Sequence, residues 1–196
     1  MSFSSKVFTI LAILSVTLVY ALYEKSKYDH LETQRELILK SLPEFKAKLL
    51  KSGEMINQSD VLNRSDKAVM IHFWGTWCGP CEAELPSFVK FARRLEPLGV
   101  NFLLLAVNDK EKKVRRFMKR FDKLPPNVRV ALDQTGDILN RFGTVKVPET
   151  YLFSGQGEHL NKFVGPQDWE MPTYFDRVNR LLQNTLKGRS QEVETH

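Results

Sequence analysis

A strand-length apolar run followed at once by a helix-forming stretch occurs twice in this chain and limits the folds open to it. The first run is Ala68–Trp74 (AVMIHFW), followed by an amphipathic stretch at 81–95. The second is Val100–Val107 (VNFLLLAV), followed by a helical pattern from Asp109. Apolar runs of this length are typical of strands buried on both faces, and strands that alternate with crossover helices build parallel sheets. We therefore expect an α/β domain with helices on both sides of a central sheet.

The flanking segments complete this pattern. Before the first run, residues 45–49 alternate, break at Ser52-Gly53-Glu54 and resume at Met55, which predicts a small hairpin at one edge of the sheet. Asp109 is predicted to cap the helix that it precedes. Later elements are predicted as a strand at 128–132, a helix at 138–142, strands at 150–153 and 160–164, and a closing helix around 174–182. The expected architecture is a three-layer sandwich around a mixed sheet.

The amino-terminal end differs from the rest in composition. Residues 7–23 contain no charge and, as a helix, would span about 26 Å, close to the roughly 27–30 Å hydrocarbon core of a membrane. We interpret them as an uncleaved transmembrane anchor. A cleaved signal peptide is the competing interpretation, although the segment ends in Tyr-Ala-Leu-Tyr rather than a small-x-small site. The predicted organisation is a flank at 1–6, the anchor at 7–23, a helical stalk at 24–42, one folded domain at 43–187 and a disordered tail at 188–196.

Composition narrows the possible functions. The chain has 196 residues, 42% hydrophobic and 27% charged, which suits one folded domain and leaves no room for two large ones. Its formal net charge of +6 permits nucleic-acid binding, but no nucleic-acid-binding motif is present, so no nucleic-acid partner is predicted. The basic residues between Lys110 and Arg120 are interpreted as a solvated helix face, with attraction to anionic headgroups or an acidic partner as the alternative. Only two cysteines are present, which excludes a framework of disulfides.

Those two cysteines are the candidate reactive groups. They lie in the motif Trp77-Cys78-Gly79-Pro80-Cys81, directly between the first buried strand and its helix. Cys78 falls at the helix N-cap, where free backbone N–H groups and the helix dipole stabilise a thiolate. Pro80 suits the first helical turn, and Cys81, one turn further along, can reach the Cys78 sulfur. The spacing predicts a reversible Cys78–Cys81 disulfide with an exposed attacking sulfur and a buried resolving sulfur.

Two other uses of such a pair fit less well. A zinc site needs more ligands, yet no second Cys-x-x-Cys pair is present and the four histidines lack ligand spacing. A purely structural disulfide would close a very short loop and restrict little of the unfolded chain. Neither a metal nor a cofactor is therefore predicted.

The stretch from His72 to Pro86, HFWGTWCGPCEAELP, resembles the active-site block of the thioredoxin superfamily. Downstream, Val147-Pro148 resembles the cis-proline loop of that superfamily, and Gly165 resembles the glycine that borders its substrate groove. With the anchor, the inserted strand and helix before Pro148 and the Pro-Glu-Thr sequence at 148–150, the chain is most similar to the membrane-anchored TlpA/ResA/CcmG (DsbE) branch. The resemblance covers about residues 42 to 186 and implies a thioredoxin-like fold.

The resemblance also implies a reaction cycle. Cys78 would attack a substrate disulfide, and Cys81 would then resolve the mixed disulfide and leave the pair oxidised. A cis-Pro148 would hold the backbone of Val147 so that an extended substrate segment pairs with it. The branch is implied to be a thiol-disulfide oxidoreductase.

Residues around the pair are implied to bind substrate and to set the direction of the reaction. Trp77 and Gly165 would border the substrate groove. Gly79 and Pro80 resemble the dipeptide of reducing thioredoxin, whose potential is about −270 mV, against about −120 mV for the oxidant DsbA. We therefore expect a reductant of protein disulfides.

Glu84 and His72 are the titratable candidates near the pair. Glu84 lies three residues after Cys81 on the same helical face and matches a glutamate that the branch often places beside the thiols. It is expected to accept a proton when Cys81 becomes the attacker. His72 lies six residues before Cys78, where thioredoxin has a buried acid and the anchored branch often has Asn. A supporting proton-transfer role for His72 stays open beside a structural role in the core.

Partners and location follow from the same resemblance. It implies a catalytic domain outside the cytoplasm, in the periplasm or on the outer face of the plasma membrane, with protein disulfides such as that of apocytochrome c as substrates. An exported reductant must be recharged, so a membrane thiol donor of the CcdA/DsbD type is expected. Two other functions stay open, namely a dithiol metallochaperone or binding module for copper, and a disulfide oxidant or isomerase.

Overall fold

The computed structural model describes residues 15–20, 22, 39–62, 67–121, 123–133 and 136–194, with side chains up to residue 185. The chain divides into two compact units, Met1–Ile38 and Leu39–His196. In the first unit, residues 15–20 and 22 are helical. No helix within the described residues has both the length and the apolar character needed to cross a membrane. Most of the predicted anchor, and the predicted stalk up to residue 38, lie outside the described residues.

The second unit is built around one mixed sheet. Its strands are β1 (Lys46–Leu49), β2 (Met55–Asn57), β3 (Ala68–Trp74), β4 (Val100–Val107), β5 (Val128–Asp133), β6 (Glu149–Ser154) and β7 (His159–Val164). Its helices are α1 (Gln58–Val61), α2 (Gly79–Leu95), α3 (Glu111–Met118), α4 (Asp137–Arg141) and α5 (Pro172–Glu194), with a 3-10 turn at Glu96–Leu98. The strand order is β2-β1-β5-β4-β3-β6-β7. Strands β3, β4 and β5 are parallel and the other pairings are antiparallel, which confirms the predicted mixed sheet and edge hairpin.

Helices cover both faces of the sheet, because the inner strands are apolar on both sides. All seven residues of β3 are buried, and its six apolar residues alternate between two clusters. Met70 and Trp74 pack with α2, α3 and α5, whereas Val69 and Ile71 pack with α1, α4 and the segment before β1. This alternation places His72 on the same face as Met70 and Trp74, towards α2. Three layers result, and the α/β sandwich is confirmed.

Truncating Phe102 is expected to cost about 3–5 kcal/mol of unfolding free energy. Its ring is 1% exposed in β4 and makes edge contacts with Phe88 and Phe91 of α2, so Phe102→Ala leaves a cavity between sheet and helix. Urea unfolding followed by circular dichroism measures the loss. Met55→Ala, at a side chain 62% exposed, is the control and should change stability by less than about 0.5 kcal/mol. Equal effects of the two substitutions would contradict this account of the core.

Three boundaries differ from the sequence-based prediction. The compact domain begins at Leu39 rather than at 43, because the Leu42 N–H donates to the Gly157 carbonyl at 2.7 Å. The N-cap position of the helix after β4 is Lys110, whose side chain makes no capping hydrogen bond, whereas Asp109 accepts from the N–H groups of Lys110 and Thr76. Helix α5 runs to Glu194, so residues 188–194 are helical and not the predicted disordered tail. Only Gly188 in that stretch is a poor helix former, and an established helix extends at little further cost.

Candidate active site

The turn between β3 and α2 holds the cysteine motif against the carboxyl end of β4. Asp109 accepts hydrogen bonds from the Thr76 N–H at 2.6 Å and from the Thr76 hydroxyl at 3.1 Å. Trp77 donates from Nε1 to the Val107 carbonyl at 3.0 Å. A Cβ at position 75 would lie 2.5 Å from that indole nitrogen, so the close packing of Trp77 requires Gly75. The turn is therefore held in place by the hydrogen bonds of Thr76 to Asp109 and of Trp77 to Val107, before the helix begins.

Cys78 and Cys81 form a disulfide at the amino terminus of α2. Cys78 is the N-cap residue, and its Sγ accepts the Cys81 N–H at 3.3 Å. Pro80 occupies the first turn, where no N–H is needed. Cys78 is 6% exposed and Cys81 is fully buried. An incoming thiol can therefore reach Cys78 but not Cys81, and a Cys78 thiolate would be stabilised by the helix terminus.

Three further segments border Cys78. Trp77 is 55% exposed beside it, although its indole nitrogen is bonded to the protein. The Val147–Pro148 peptide bond is cis, and the Val147 carbonyl oxygen lies 3.8 Å from Cys78 Sγ. Gly165, at φ +76°, donates its N–H to the Pro148 carbonyl at 3.0 Å. The structure thus brings the Val147 carbonyl to Cys78 Sγ and links Gly165 to the same loop through Pro148, while Trp77 adjoins Cys78 in the sequence.

Glu84 lies behind the cysteines with its carboxyl group buried. Its Oε2 accepts from the Gln167 N–H at 2.8 Å and from Trp169 Nε1 at 3.2 Å. Burial raises the pKa of Glu84 to about 7, against the lowering effect of these two donors. A carboxyl group that titrates near neutrality, one turn after Cys81, is suited to exchange a proton with a thiol.

His72 is fully buried on the same side of the sheet. Its Nδ1 lies 2.8 Å from Thr150 Oγ1, its ring stacks on Phe88 at 4.3 Å, and its Nε2 lies 3.6 Å from Glu84 Oε1. Burial lowers the pKa of His72 to about 3, so its imidazole is neutral at physiological pH. The structure therefore brings both titratable candidates together.

Three residues of this site were not identified from the sequence, namely Thr150, Gln167 and Trp169. Trp169 is buried, and its ring packs against Phe88 and Phe91 while its N–H binds Glu84. The sequence did offer one indication of this role, the tryptophan in the Gly-Pro-Gln-Asp-Trp loop after β7. A buried indole N–H needs a hydrogen-bond acceptor, so this tryptophan could have been expected to bind one. Gln167 contributes only its backbone N–H to Glu84, which no side-chain pattern reports.

Metal ligands are not assembled at this site. Within the part of the chain that the structure describes, no group of three or more His, Cys, Asp and Glu side chains is placed to hold a metal ion. The His72 ring faces Thr150 and Glu84.

The chain is similar in sequence and in fold to known proteins. The AhpC/TSA family model matches residues 38–158. Thiol-disulfide oxidoreductase ResA from Bacillus cereus is 31% identical over 172 residues, which cover 86% of this chain and 92% of the relative. A solved structure described as thiol:disulfide interchange protein DsbE, from Chlorobium tepidum, superposes with a TM-score of 0.62 at 22% identity and covers 73% of this chain and 96% of that one. StoA from Bacillus subtilis superposes with a TM-score of 0.53 at 26% identity, over 65% and 92% of the two chains.

The structural likenesses establish the thioredoxin-like fold, and the ResA relative matches nearly the whole of its own length. The cysteine pair lies at the start of α2, where Cys78 keeps 6% exposure and Cys81 keeps none. The chain therefore belongs to the AhpC/TSA family, as a thiol-disulfide oxidoreductase of the ResA type with a thioredoxin-like fold.

Proposed function

We propose that this oxidoreductase works outside the cytoplasm, tethered by residues 7–23, as a reductant of protein disulfides such as that of apocytochrome c. The observation that carries the proposal is the asymmetry of the pair, in which Cys78 is reachable and Cys81 is buried one turn before a carboxyl group of raised pKa. Such asymmetry suits a two-step exchange with one attacking and one resolving thiol.

In the first step the Cys78 thiolate attacks one sulfur of the substrate disulfide. A mixed disulfide forms, and the other substrate sulfur leaves as a thiolate. The substrate backbone would lie along the rim formed by Trp77, Val147 and Gly165, whose edge groups border Cys78. Because Cys78 is the N-cap of α2, the free N–H groups of the helix stabilise its thiolate before the attack.

In the second step Cys81 must lose its proton inside the protein. The Glu84 carboxylate takes that proton, and the Cys81 thiolate attacks Cys78 Sγ. The Cys78–Cys81 bond forms, the mixed disulfide breaks, and the reduced substrate leaves with the electron pair of that bond. Glu84 is left protonated, the form that its burial favours up to a pKa of about 7.

The oxidised pair must then be reduced again, and we assign this role to a membrane-embedded thiol donor of the CcdA/DsbD type. The donor thiolate attacks Cys78 Sγ, the Cys78–Cys81 bond breaks, and the Cys81 thiolate takes back the proton from Glu84. A second donor thiolate then attacks the donor sulfur of the mixed disulfide, and Cys78 leaves as a thiolate. The copper alternative gains no support from the described residues, which place no third ligand by the cysteines.

The direction of the reaction is tested by the redox potential of the pair. Equilibration of the full chain with glutathione buffers should give a value well below about −200 mV, as expected of a Gly-Pro dipeptide of the thioredoxin type. The reduced chain should then reduce a disulfide-containing apocytochrome c, and Cys78→Ser should be inactive. A potential near about −120 mV would assign the protein to the oxidants instead.

Membrane tethering predicts that the full chain stays with the membrane fraction after alkaline extraction. Introducing Ile13→Arg and Val16→Arg should release it, because each charge at a helix centre costs about 2.5–3.5 kcal/mol of insertion free energy. Ile13→Leu with Val16→Leu is the matched control and should remain in the membrane. Extraction of the unsubstituted chain into the soluble fraction would remove the tether from the proposal.

A further inference from the structure

Two buried polar atoms behind the cysteines face each other. His72 Nε2 and Glu84 Oε1 lie 3.6 Å apart, and neither has a hydrogen-bond partner among the described residues. The His72 side chain is fully buried and that of Glu84 is 4% exposed. An unpartnered polar atom in such a position costs free energy, so the two atoms are best explained together. Their separation exceeds that of an O–H···N bond by about 0.8 Å, so a hydrogen bond between them requires a small rotation of the carboxyl group.

Every other polar atom of the two groups is already engaged. His72 Nδ1 is paired with Thr150 Oγ1, and Glu84 Oε2 accepts from Gln167 and Trp169. Stacking on Phe88 fixes the plane of the imidazole. Apart from the carboxyl rotation that shortens the contact, what remains to be assigned is which of the two facing atoms carries a hydrogen.

We propose that His72 is a positioning residue: as the neutral tautomer protonated on Nδ1, it accepts at Nε2 a hydrogen bond from protonated Glu84. The proposal rests on the proposed role of Glu84 as proton acceptor. The proton leaves Cys81 Sγ in the resolving step, is bound at Glu84 Oε1, and returns to Cys81 when the pair is reduced. The imidazole keeps its single N–H throughout, donated to Thr150 Oγ1.

The surroundings favour a neutral pair over an ion pair. The groups that face it are Thr150 from β6, Leu104 opposite His72 in β4, and Trp169 and Gln167 from the loop after β7. The titratable neighbours are Cys81 on α2 and Tyr174 on α5, the latter bonded to Gln167. None of these carries a positive charge, and burial of two opposite charges is costly unless further hydrogen bonds satisfy both.

His72 thereby increases the affinity of Glu84 for the proton. When Glu84 is ionised, the Nε2 lone pair faces a carboxylate and offers it no donor. When Glu84 is protonated, the same lone pair accepts its O–H. Both effects raise the pKa of Glu84, in the same direction as burial. The opposite tautomer, with Nε2–H donating to the carboxylate, would lower it.

Nuclear magnetic resonance of the full oxidised chain, with ¹⁵N-labelled histidine and ¹³C-labelled glutamate, tests this assignment between pH 5 and 9. We expect His72 to show a protonated Nδ1 and an unprotonated Nε2 across this range, while the Glu84 carboxyl group titrates near pH 7. A protonated Nε2, or an imidazolium, would overturn the proposal. Disulfide reduction is measured separately, so the spectra stand even if the proposed substrate class is wrong.

Thr150 supplies a matched pair of variants that leaves both His72 and Glu84 in place. Thr150→Val removes the acceptor of Nδ1–H and permits the other tautomer, so the Glu84 inflection should fall by about one pH unit. Thr150→Ser keeps the hydroxyl and should behave as the unsubstituted chain. His72→Phe keeps an aromatic ring on Phe88 and should lower the inflection similarly. An unchanged inflection in Thr150→Val, or an increase in either variant, contradicts the proposal, and the Thr150 pair decides it if His72→Phe does not fold.

Discussion

Replacing Cys81 with Ser is expected to stop turnover and to accumulate the protein as a mixed disulfide on Cys78. The Cys78 thiolate is still stabilised by the amino terminus of α2 and can still attack, but the residue one turn further along offers a hydroxyl in place of a thiol. A serine hydroxyl cannot complete the exchange, so the multiple-turnover rate should fall by at least about 10³-fold. The first step should keep its normal rate. Stopped-flow tryptophan fluorescence can follow this step, because Trp77 lies beside Cys78.

The trapped species identifies the substrate as well as the mechanism. Cys81→Ser expressed in cells should yield disulfide-linked adducts that dithiothreitol cleaves. Mass spectrometry of the adducts then identifies the partner proteins. Cys78→Ser is the control and should form none, because Cys81 is fully buried and cannot meet a protein disulfide. Equal adduct formation by the two variants would show that the attacking and resolving roles are misassigned. Adducts with cytoplasmic proteins alone would contradict the proposed compartment.

The α/β sandwich and the cysteine motif were predictable because both depend on patterns of neighbouring residues in the sequence. Apolar runs of strand length predicted β3 and β4, and they lie side by side in parallel as expected of a crossover unit. The cysteine motif stands at one junction of strand and helix, so its spacing alone predicted an N-cap sulfur and a partner one turn later. The tail was predicted wrongly because a helix anchored at Val178 and Leu182 extends through residues with no apolar period of their own.

The environment of Glu84 was not predictable, because it is made by contacts between distant parts of the chain. Trp169 lies 85 positions from Glu84, and Thr150 lies 78 positions from His72. The sequence around residues 72 and 84 does not indicate that a loop after β7 supplies two hydrogen-bond donors to one oxygen of the Glu84 carboxylate. The sequence pattern placed Glu84 on the right helical face, but its raised pKa arises from tertiary burial.

Replacing Glu84 with Gln is expected to slow the resolving step by about 10²-fold and to remove the inflection near pH 7 from its rate. An amide of nearly the same shape still fits beside Trp169, but it cannot take a proton from Cys81. Formation of the mixed disulfide should be unaffected, since Cys78 is stabilised by the helix terminus and not by Glu84. Rapid-quench analysis of a single turnover separates the two rates. Glu82→Gln, on the same helix but half-buried and paired with Arg120, is the control and should leave both rates unchanged.

The Glu84→Gln substitution is also expected to change how the stability of the protein depends on pH. A group whose pKa changes on folding makes the free energy of unfolding depend on pH. Glu84 has a folded-state pKa of about 7, above its ordinary value of 4.5, so its contribution is fully present below pH 4.5 and is lost as the pH rises through 7. Glu84→Gln should therefore gain stability relative to the unsubstituted chain between pH 4.5 and pH 8. His72, whose folded-state pKa is lowered to about 3, contributes in the opposite direction, with stability lost as the pH falls below 6.5. That contribution is present in both proteins, so it largely cancels in the difference between their Tm values. A Tm difference that stays constant across this pH range would show that Glu84 does not carry the proton in the folded enzyme.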